Sequence, residues 1–421
     1  MRIWSSIPST VRLICVLSTV ACGGSGANAP DASMPPPTPM HLTESELSRV
    51  VTYLASDELN GRDEGTPGGL AAREFLIAEL ERCGVTAAGE NGFEQTITTG
   101  EGVNIVGRVE GSDPAMRNRH ILLSAHYDHL GACGGAICNG ADDNAAGVAI
   151  VLAVACELAV SPLPRSILVA FWDAEEPPTF LTPAMGSAFF VAHPVVPLEQ
   201  IDVAIVLDLV GSDLWPGYGA HFVLGAELSP EVRGVVAAVG SPPGLLLRRA
   251  SLHLVEETVA GHQPWSDYDA FRDASVPVLF LSNGQNKRYH TEDDEASLLD
   301  VPKMAREGAY LLSLVRPLGN AAVTPTFDVN GTAYATDAEE LASVLEAAIA
   351  DGGLIDSLGL TAASRRKLEV DLSNVRAIRG LLSADGQGEL SPNEVRALRS
   401  AAQHVMCMAG STYQESICNL F

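Results

Sequence analysis

Short apolar runs that alternate with helix-like stretches constrain the fold of this chain more than any other feature. Nearly continuous apolar runs are typical of strands covered on both faces, as in parallel sheets with helices outside. The predicted strands are 103–109, 120–126, 166–172, 203–209 and 276–282, and the predicted helices between them are 68–83, 144–160, 186–193, 229–239 and 301–316. The alternation predicts an α/β fold, a three-layer sandwich with a largely parallel (mixed) central sheet.

The composition changes near residue 320, where Ala, Leu, Glu and Arg become dominant. Helical spacing in this region predicts a small C-terminal helical extension over 320–421, which leaves 41–319 for the α/β part. The predicted helices of the extension are 336–350, 361–382 and 392–406.

The N-terminus has the features of an exported protein. Residues 1–21 resemble a lipoprotein-type signal peptide, with positive charge followed by an apolar stretch too short to cross a bilayer. The string LSTVACGG resembles a lipobox with Cys22 as the lipidated residue, but Thr19 replaces the usual leucine, so ordinary signal cleavage is the alternative. Residues 22–40 are rich in Gly and Pro and predict a tether. We expect membrane attachment through Cys22 at a bacterial outer membrane, or a periplasmic or extracellular location.

The chain has eight cysteines; Cys15 would leave with the signal peptide and Cys22 would be lipidated, so six remain, an even number that permits disulfide bonds in an exported chain. Cys133 with Cys138 would close a tight loop; a metal pair is the alternative, but it lacks a second CxxC-like partner. Cys407 with Cys418 would staple the C-terminus. The two cysteines in predicted helices, which we expect to be buried thiols, are Cys83 and Cys156.

The charge balance excludes one class of partner. The chain has 26 Lys and Arg against 52 Asp and Glu, a net charge of −26. Such a surface repels phosphate backbones, so nucleic-acid binding is not expected, whereas cations are favoured.

Polar residues gather at the ends of several predicted strands. In SAHYDHLG, His126 and Asp128 are two residues apart on extended chain, so their side chains share a side. A metal-binding imidazole often gives its other N–H to a carboxylate, which makes His126 a candidate ligand and Asp128 its orienting partner.

Two adjacent acids, Asp142 and Asp143, open a predicted helix in NGADDNAAGVA. A helix N-terminus favours negative charge, and one of the two carboxylates can bridge two metal ions while the next stays outside. An ordinary N-cap would explain one acid but not the pair.

A second pair of acids, Glu175 and Glu176, follows the strand in FWDAEEPPTF. Adjacent side chains point in different directions, so one can bind metal while the other faces the reacting water as a general base. Asp208 lies in the apolar string VAIVLDLVG, where a carboxylate is costly to bury unless it is paired or bound to metal. His290, in KRYHTEDD, is an ordinary loop histidine when considered alone.

Together these residues make a set of nitrogen and oxygen ligands that suits zinc. In this order, at strand ends, they resemble the co-catalytic di-zinc aminopeptidase family, which also includes glutamate carboxypeptidase and the glutaminyl cyclases. The resemblance begins with YLASDELNGRDEGTPGG at 53–69 and runs from about 42 to 317; EEPPTFLTPAMGS at 175–187 is similar to a bacterial leucyl aminopeptidase branch.

The resemblance implies two Zn²⁺ and a role for each residue. Asp142 would bridge the ions, and the Asp142–Asp143 peptide bond would be cis. One ion would add Glu176 and His290, and the other would add His126 and Asp208. Glu175 would be the general base, and Asp128 would support His126; the metal ligands are thus His126, Asp142, Glu176, Asp208 and His290.

The sequence departs from that family in two places. SDYDAF at 266–271 stands where relatives often have SDH, and the Cys133–Cys138 loop is an addition beside the site. The histidines that fall in no motif position, and which we expect not to be ligands, are His129, His193, His253 and His262.

A weaker pattern, SADGQGELSPNE at 383–394, resembles a calcium loop with Asp385, Gln387 and Glu394 as ligands. A Gly-rich turn that caps the next helix explains the string equally well.

The expected function is zinc-dependent exopeptidase activity on peptide substrates, with release of N-terminal residues as the leading form. The alternatives are a carboxypeptidase or glutaminyl cyclase on the same fold, or a catalytically inactive binding module. The intact ligand set argues against the last.

Overall fold

The computed structural model describes residues 41–258, 261–385, 390–411 and 414. The strands are β1 (Thr86–Ala87), β2 (Glu94–Thr96), β3 (Val103–Val109), β4 (His120–His126), β5 (Ala132–Cys133), β6 (Ala136–Ile137), β7 (Ser166–Trp172), β8 (Ile201–Leu207), β9 (Ala220–Leu224), β10 (Leu246–Ala250), β11 (Glu257–Thr258), β12 (Gly261–His262) and β13 (Val278–Ser282). The helices are α1 (Glu44–Leu54), α2 (Pro67–Arg82), α3 (Ala146–Val160), α4 (Gly186–Ala192), α5 (Pro230–Val239), α6 (Leu252–Glu256), α7 (Tyr268–Asp273), α8 (Val301–Asn320), α9 (Tyr334–Ile349), α10 (Leu354–Ser357), α11 (Ala362–Asp385) and α12 (Pro392–Ala409). The predicted signal peptide, tether and Cys22 lie outside the described residues.

Nine strands of the described residues form one mixed sheet, in the order β1-β3-β7-β4-β8-β13-β9-β10, with β2 paired to β3. Strand β4 is parallel to β7 and β8, and β13 is parallel to β8. Antiparallel β3 and β9 flank this parallel centre. The predicted α/β fold with a mixed central sheet is therefore confirmed. Two strands differ in their bounds: the predicted 203–209 is β8 at Ile201–Leu207, so Asp208 lies just beyond the strand, and the predicted 276–282 is β13 at Val278–Ser282.

Helices cover both faces of the sheet. On one face α3 packs against the strands and is covered in turn by α1 and α8; on the other face lie α4 and α7. Because α3 is enclosed on all sides, nearly every residue from Ala146 to Leu158 is buried. The segment Ala141–Val160 is the only helix of the described chain long and apolar enough to cross a membrane, but 83% of its apolar window is buried inside the protein, as in a core helix.

Two disulfide bonds lie within the described residues. The predicted Cys133–Cys138 bond is present and closes the hairpin of β5 and β6. The expectation of buried thiols at Cys83 and Cys156 is wrong, because the two form a disulfide that ties the end of α2 to α3. Helical periodicity places both residues inward, but only the packing of α2 against α3 brings them together. The predicted partner of Cys407, Cys418, lies outside the described residues.

The C-terminal helices and the α/β part contribute side chains to one apolar cluster. Trp215, Tyr218 and Leu254 pack into the same cluster as residues of α9, α11 and α12. A buried polar contact adds to this: the Asp337 carboxylate of α9 accepts hydrogen bonds from the backbone N–H and the hydroxyl of Ser251, each at 2.8 Å. The extension is thus packed on the α/β part and not merely tethered to it.

Residues 386–389 of the predicted calcium loop, which include Gln387, lie outside the described residues, and the calcium site stays a prediction. At its end, Ser391 and Glu394 form a capping box that starts α12. This contact uses the Glu394 carboxylate in the way that the capping alternative requires.

Candidate metal centre

The carboxyl ends of the parallel strands place the predicted site residues along one edge of the sheet. His126 ends β4, Glu175 and Glu176 follow β7, and Asp208 follows β8. Because these strands are neighbours, loops that are distant in sequence meet there, as ligand sites in open α/β sheets do.

His126 faces a group of carboxylates. Its Nε2 lies 3.2 Å from Asp143 Oδ1, 3.5 Å from Asp208 Oδ1 and 3.8 Å from Glu175 Oε2. Its other ring nitrogen, Nδ1, is 3.2 Å from the backbone carbonyl oxygen of Asp128. The backbone of Asp128 thus orients the imidazole, while its carboxylate accepts the Glu176 N–H at 3.1 Å.

His290 faces a second group on the other side of Asp143. Its Nε2 lies 3.2 Å from Asp143 Oδ2 and 3.1 Å from Glu176 Oε2. His129 Nδ1 contacts the remaining oxygen of Glu176 at 2.6 Å. His129, which belongs to no predicted motif position, therefore holds Glu176 so that Oε2 is directed at His290.

The residue between the two groups is Asp143, and the prediction that Asp142 takes this place is wrong. The Asp142 carboxylate accepts the Gly211 N–H and the Asn286 side-chain amide, each at 2.7 Å, so both of its oxygens are used within the protein. Asp143 instead turns one oxygen toward each histidine. The cis peptide bond likewise falls one position later than expected, at Asp143–Asn144.

Two buried residues hold the loop that carries Asp143. The Asp294 carboxylate accepts the backbone N–H groups of Asp142 and Asp143 at 2.9–3.1 Å. The fully buried Arg62 guanidinium donates to the carbonyl oxygens of Tyr127 and Gly140 at 2.8 and 3.0 Å. Arg62 therefore joins the His126 loop to the Asp143 loop.

The pKa values of the site residues are shifted by the close contact of histidines and carboxylates. Burial lowers the pKa of His290, but the carboxylates of Asp143 and Glu176 outweigh it and raise this pKa to about 10. Burial alone would raise the pKa of Asp143, yet His126 and His290 hold it well below its usual range. Each group therefore favours its charged form because the other is close.

Glu175 differs from Glu176 in its surroundings. Burial, with Asp267 and Asp208 nearby, raises the pKa of Glu175 well above its ordinary value, although His126 opposes the shift. The side chain lines a pocket together with Asp143, Asp208 and Trp265. Glu175 is thus placed to exchange a proton inside the pocket.

The donor set fits metal ions. Among the described residues, buried atoms at the centre of the site lack a hydrogen-bond partner, namely His126 Nε2, Asp143 Oδ2, Asp208 Oδ1 and His290 Nε2. Unsatisfied buried nitrogen and carboxylate oxygen atoms that converge on one another are what a cation would satisfy. At this site, potential ligand atoms form two groups, and the atoms of each group lie within 4.8 Å of one another. One group comprises His126, Glu175 and Asp208, and the other comprises His129, Asp143 and Glu176.

Several residues at the site were not predicted from the sequence. Asp267, in the unusual SDYDAF string, is fully buried, and burial raises its pKa to about 7, with His126 and Asp208 among the charges that act on it. Arg62 and Asp294 lie in the quoted motifs around 53–69 and 290–294, but nothing local shows that they reach the same loop. For Asp267 the available signal was its place in the SDYDAF string, where relatives often have SDH.

The fold is an α/β sandwich, and the ends of its strands bring together a buried cluster of potential metal ligands. Residues 104–315 match the family model of Peptidase family M28. The chain belongs to this family, which confirms the resemblance and the expected class of metallo-exopeptidase.

One relative is similar in sequence, and solved structures share the fold. The uncharacterized protein YfbL of Escherichia coli (strain K12) is 26% identical over 292 residues, which cover 64% of this chain and 87% of that protein. A Zn-dependent exopeptidase from Parabacteroides distasonis matches 65% of this chain and 98% of its own, at 19% identity and a TM-score of 0.51. A glutaminyl cyclase from Bacteroides thetaiotaomicron matches 65% of this chain and 98% of its own, at 19% identity and a TM-score of 0.50.

Proposed function

We propose that this protein is a zinc-dependent aminopeptidase that releases N-terminal residues from peptides. The observation that carries the proposal is the position of Asp143, whose two oxygens each lie 3.2 Å from Nε2 of a different histidine. A carboxylate placed in this way can bridge two ions. His126 and Asp208 would complete one binding position, and Glu176 and His290 the other.

The chain's own residues supply the remaining chemistry. Bound zinc would polarise the scissile carbonyl and acidify a water. Glu175 would take the proton of the attacking water and return it to the leaving amine, because its carboxylate is inside the pocket and its raised pKa makes it a stronger base than a free glutamate. His129 would hold the Glu176 carboxylate in place, and Asp128 would hold the His126 ring in place.

The test combines zinc content with product analysis on three substrates. The substrates are a peptide with a free N-terminus, the same peptide N-acetylated, and a peptide that begins with glutamine. An aminopeptidase holds about two zinc ions per chain and cleaves only free N-termini. Cleavage at the carboxyl end would make it a carboxypeptidase, and one zinc with cyclisation of glutamine would make it a cyclase. Absence of zinc after careful purification would overturn the proposal.

We also propose that the chain is exported and attached to a membrane through lipidated Cys22. The two disulfides of the described residues support an oxidising compartment. In a bacterial host, metabolic labelling with a fatty-acid alkyne should mark the wild type but not Cys22→Ala. Equal labelling of both would contradict the proposal.

A further inference from the structure

A histidine lies beside the disulfide that joins α2 to α3. A ring nitrogen of His41 and the sulfur atoms of Cys83 and Cys156 all lie within 4.8 Å of one another. Among the described residues, no third ligand atom of this kind lies that close to both sulfurs of the Cys133–Cys138 bond. The two disulfides therefore differ in that only the Cys83–Cys156 bond has a histidine as a third potential ligand.

The backbone on both sides of His41 is held in place. Its N–H donates to the Glu157 carboxylate at 2.5 Å, and Glu157 directly follows Cys156 in α3. The next residue, Leu42, is buried in the same apolar core as the residues of α3. These contacts keep His41 at this end of α3, although it is 116 positions away from Glu157 in the chain.

The group is accessible and separate from the candidate metal centre. Cys156 is 2% exposed, whereas Cys83 is partly exposed, and a small pocket lined by Cys156, His41 and the half-exposed Arg82 adjoins the bond. Cys156 lies ten positions after Ala146, the first residue of α3, which corresponds to about 15 Å along the helix. A small reductant can thus approach the disulfide without entering the candidate metal centre.

Reduction converts the three residues into a set of soft ligands. A dithiol reductant gives two electrons and two protons to the disulfide, becomes a cyclic disulfide itself, and leaves thiols at Cys83 and Cys156. Binding of Zn²⁺ then releases the two thiol protons, so that two thiolates and the neutral His41 imidazole hold the ion. Sulfur and imidazole nitrogen are the ligands of tetrahedral zinc sites, in which water can take the fourth position.

We propose that the reduced chain binds one zinc ion through Cys83, Cys156 and His41, and that this ion joins α2 to α3 in place of the disulfide. Exchange with an incoming disulfide, which takes up the two electrons and becomes a dithiol, re-forms the Cys83–Cys156 bond and releases the ion. The chain thus has a link between α2 and α3 whether or not its cysteines are oxidised. The site does not depend on the proposed aminopeptidase function, because none of its residues lies at the candidate metal centre.

Cobalt(II) is the probe, because it occupies tetrahedral zinc sites and absorbs in the near ultraviolet when thiolates bind it. The full chain is reduced with a phosphine and titrated with cobalt. Reduced wild type should gain thiolate-to-cobalt absorption that saturates at about one ion per chain. The oxidised protein should not, since the candidate metal centre has only nitrogen and oxygen ligands. His41→Ala should weaken this binding by roughly tenfold or more and leave peptidase activity unchanged.

The matched controls remove one disulfide at a time. The double variant Cys133→Ser with Cys138→Ser should keep the cobalt–thiolate absorption, whereas Cys83→Ser with Cys156→Ser should lose it. Circular dichroism checks that each reduced variant is folded.

Three results would overturn the proposal. The first is equal cobalt affinity in His41→Ala and the wild type, and the second is absorption that depends on Cys133 and Cys138 instead. The third is unfolding of the reduced wild type with cobalt present, because the ion would then not replace the disulfide. Peptide hydrolysis by the oxidised protein is measured separately, so none of these results bears on the aminopeptidase function.

Discussion

The backbone N–H of Asp143 donates to the carboxylate of Asp294 at 3.0 Å, across 151 positions of the chain. This contact fixes the loop at the start of α3 against the loop that carries His290. Since Asp143 lies between the two histidines, the geometry of the site depends on a carboxylate that binds the backbone of the loop. Asp294 is therefore a positioning residue of the candidate metal centre.

The two adjacent aspartates should behave differently when each loses its charge. We expect Asp143→Asn to lose most of its zinc, because a bridging carboxylate contributes to both binding positions. Asp142→Asn should keep its zinc, since the two oxygens of the Asp142 carboxylate accept hydrogen bonds from Gly211 and Asn286. Elemental analysis after gel filtration measures both. Zinc loss in Asp142→Asn with retention in Asp143→Asn would restore the original assignment.

The two adjacent glutamates should separate catalysis from metal binding. Glu175→Gln is expected to lower kcat/KM by about 10²–10⁴ while zinc content is unchanged, because it removes only the general base. Glu176→Gln, the matched change one residue later, should lose zinc, since Glu176 lies 3.1 Å from His290. Steady-state kinetics with elemental analysis checks both. Full activity of Glu175→Gln would exclude its assigned role.

The Cys83–Cys156 disulfide should contribute strongly to stability. It closes a loop with a sequence separation of 73, for which the chain-entropy relation gives about 4 kcal/mol in the free energy of unfolding. Removal of the Cys133–Cys138 bond, with a separation of 5, should cost about 2 kcal/mol by the same relation. Urea unfolding of the two double alanine variants compares them. A larger loss for the shorter loop would show that loop entropy does not control this difference.

The Asp337 carboxyl should make stability depend on pH. Burial raises its pKa from 3.8 to about 7, although the Ser251 hydrogen bonds oppose the shift. The folded state thus holds this proton more tightly than the unfolded chain does. The contribution to stability is fully present below the unfolded pKa near 4 and is lost as pH rises through about 7, with a slope of at most ~1.4 kcal/mol per pH unit.

Asp337→Asn, which keeps the shape of the side chain, should flatten this part of the profile. Urea unfolding at several pH values between 4 and 8 measures the difference between variant and wild type. Glu227 is present in both proteins; burial raises its pKa to about 8 and the Asp337 charge adds to this shift, so Asp337→Asn should also lower the pKa of Glu227. Parallel profiles would mean that Asp337 does not titrate in this range.

Much of the fold could be predicted because its signals are local. The apolar runs of β3, β4 and β7 coincide with the predicted strands, since a strand buried on both faces must be apolar throughout its length. Strands β9 and β10 were not predicted, because their short segments, which include His221 and two arginines, lack that pattern. The choice between Asp142 and Asp143 was also beyond local signals, since both are equally acidic and differ only in where the backbone turns them.

The sequence alone determined the α/β class, the chemical types of the ligands and their positions at strand ends, because periodicity and residue type are local properties. Only the tertiary structure decided that Asp143 is the central carboxylate, that Arg62 and Asp294 hold its loop, and that Cys83 pairs with Cys156. It also decided that His41 lies beside that disulfide. These features depend on which distant segments meet in space, and the direction of each side chain follows from backbone angles that such long-range contacts select.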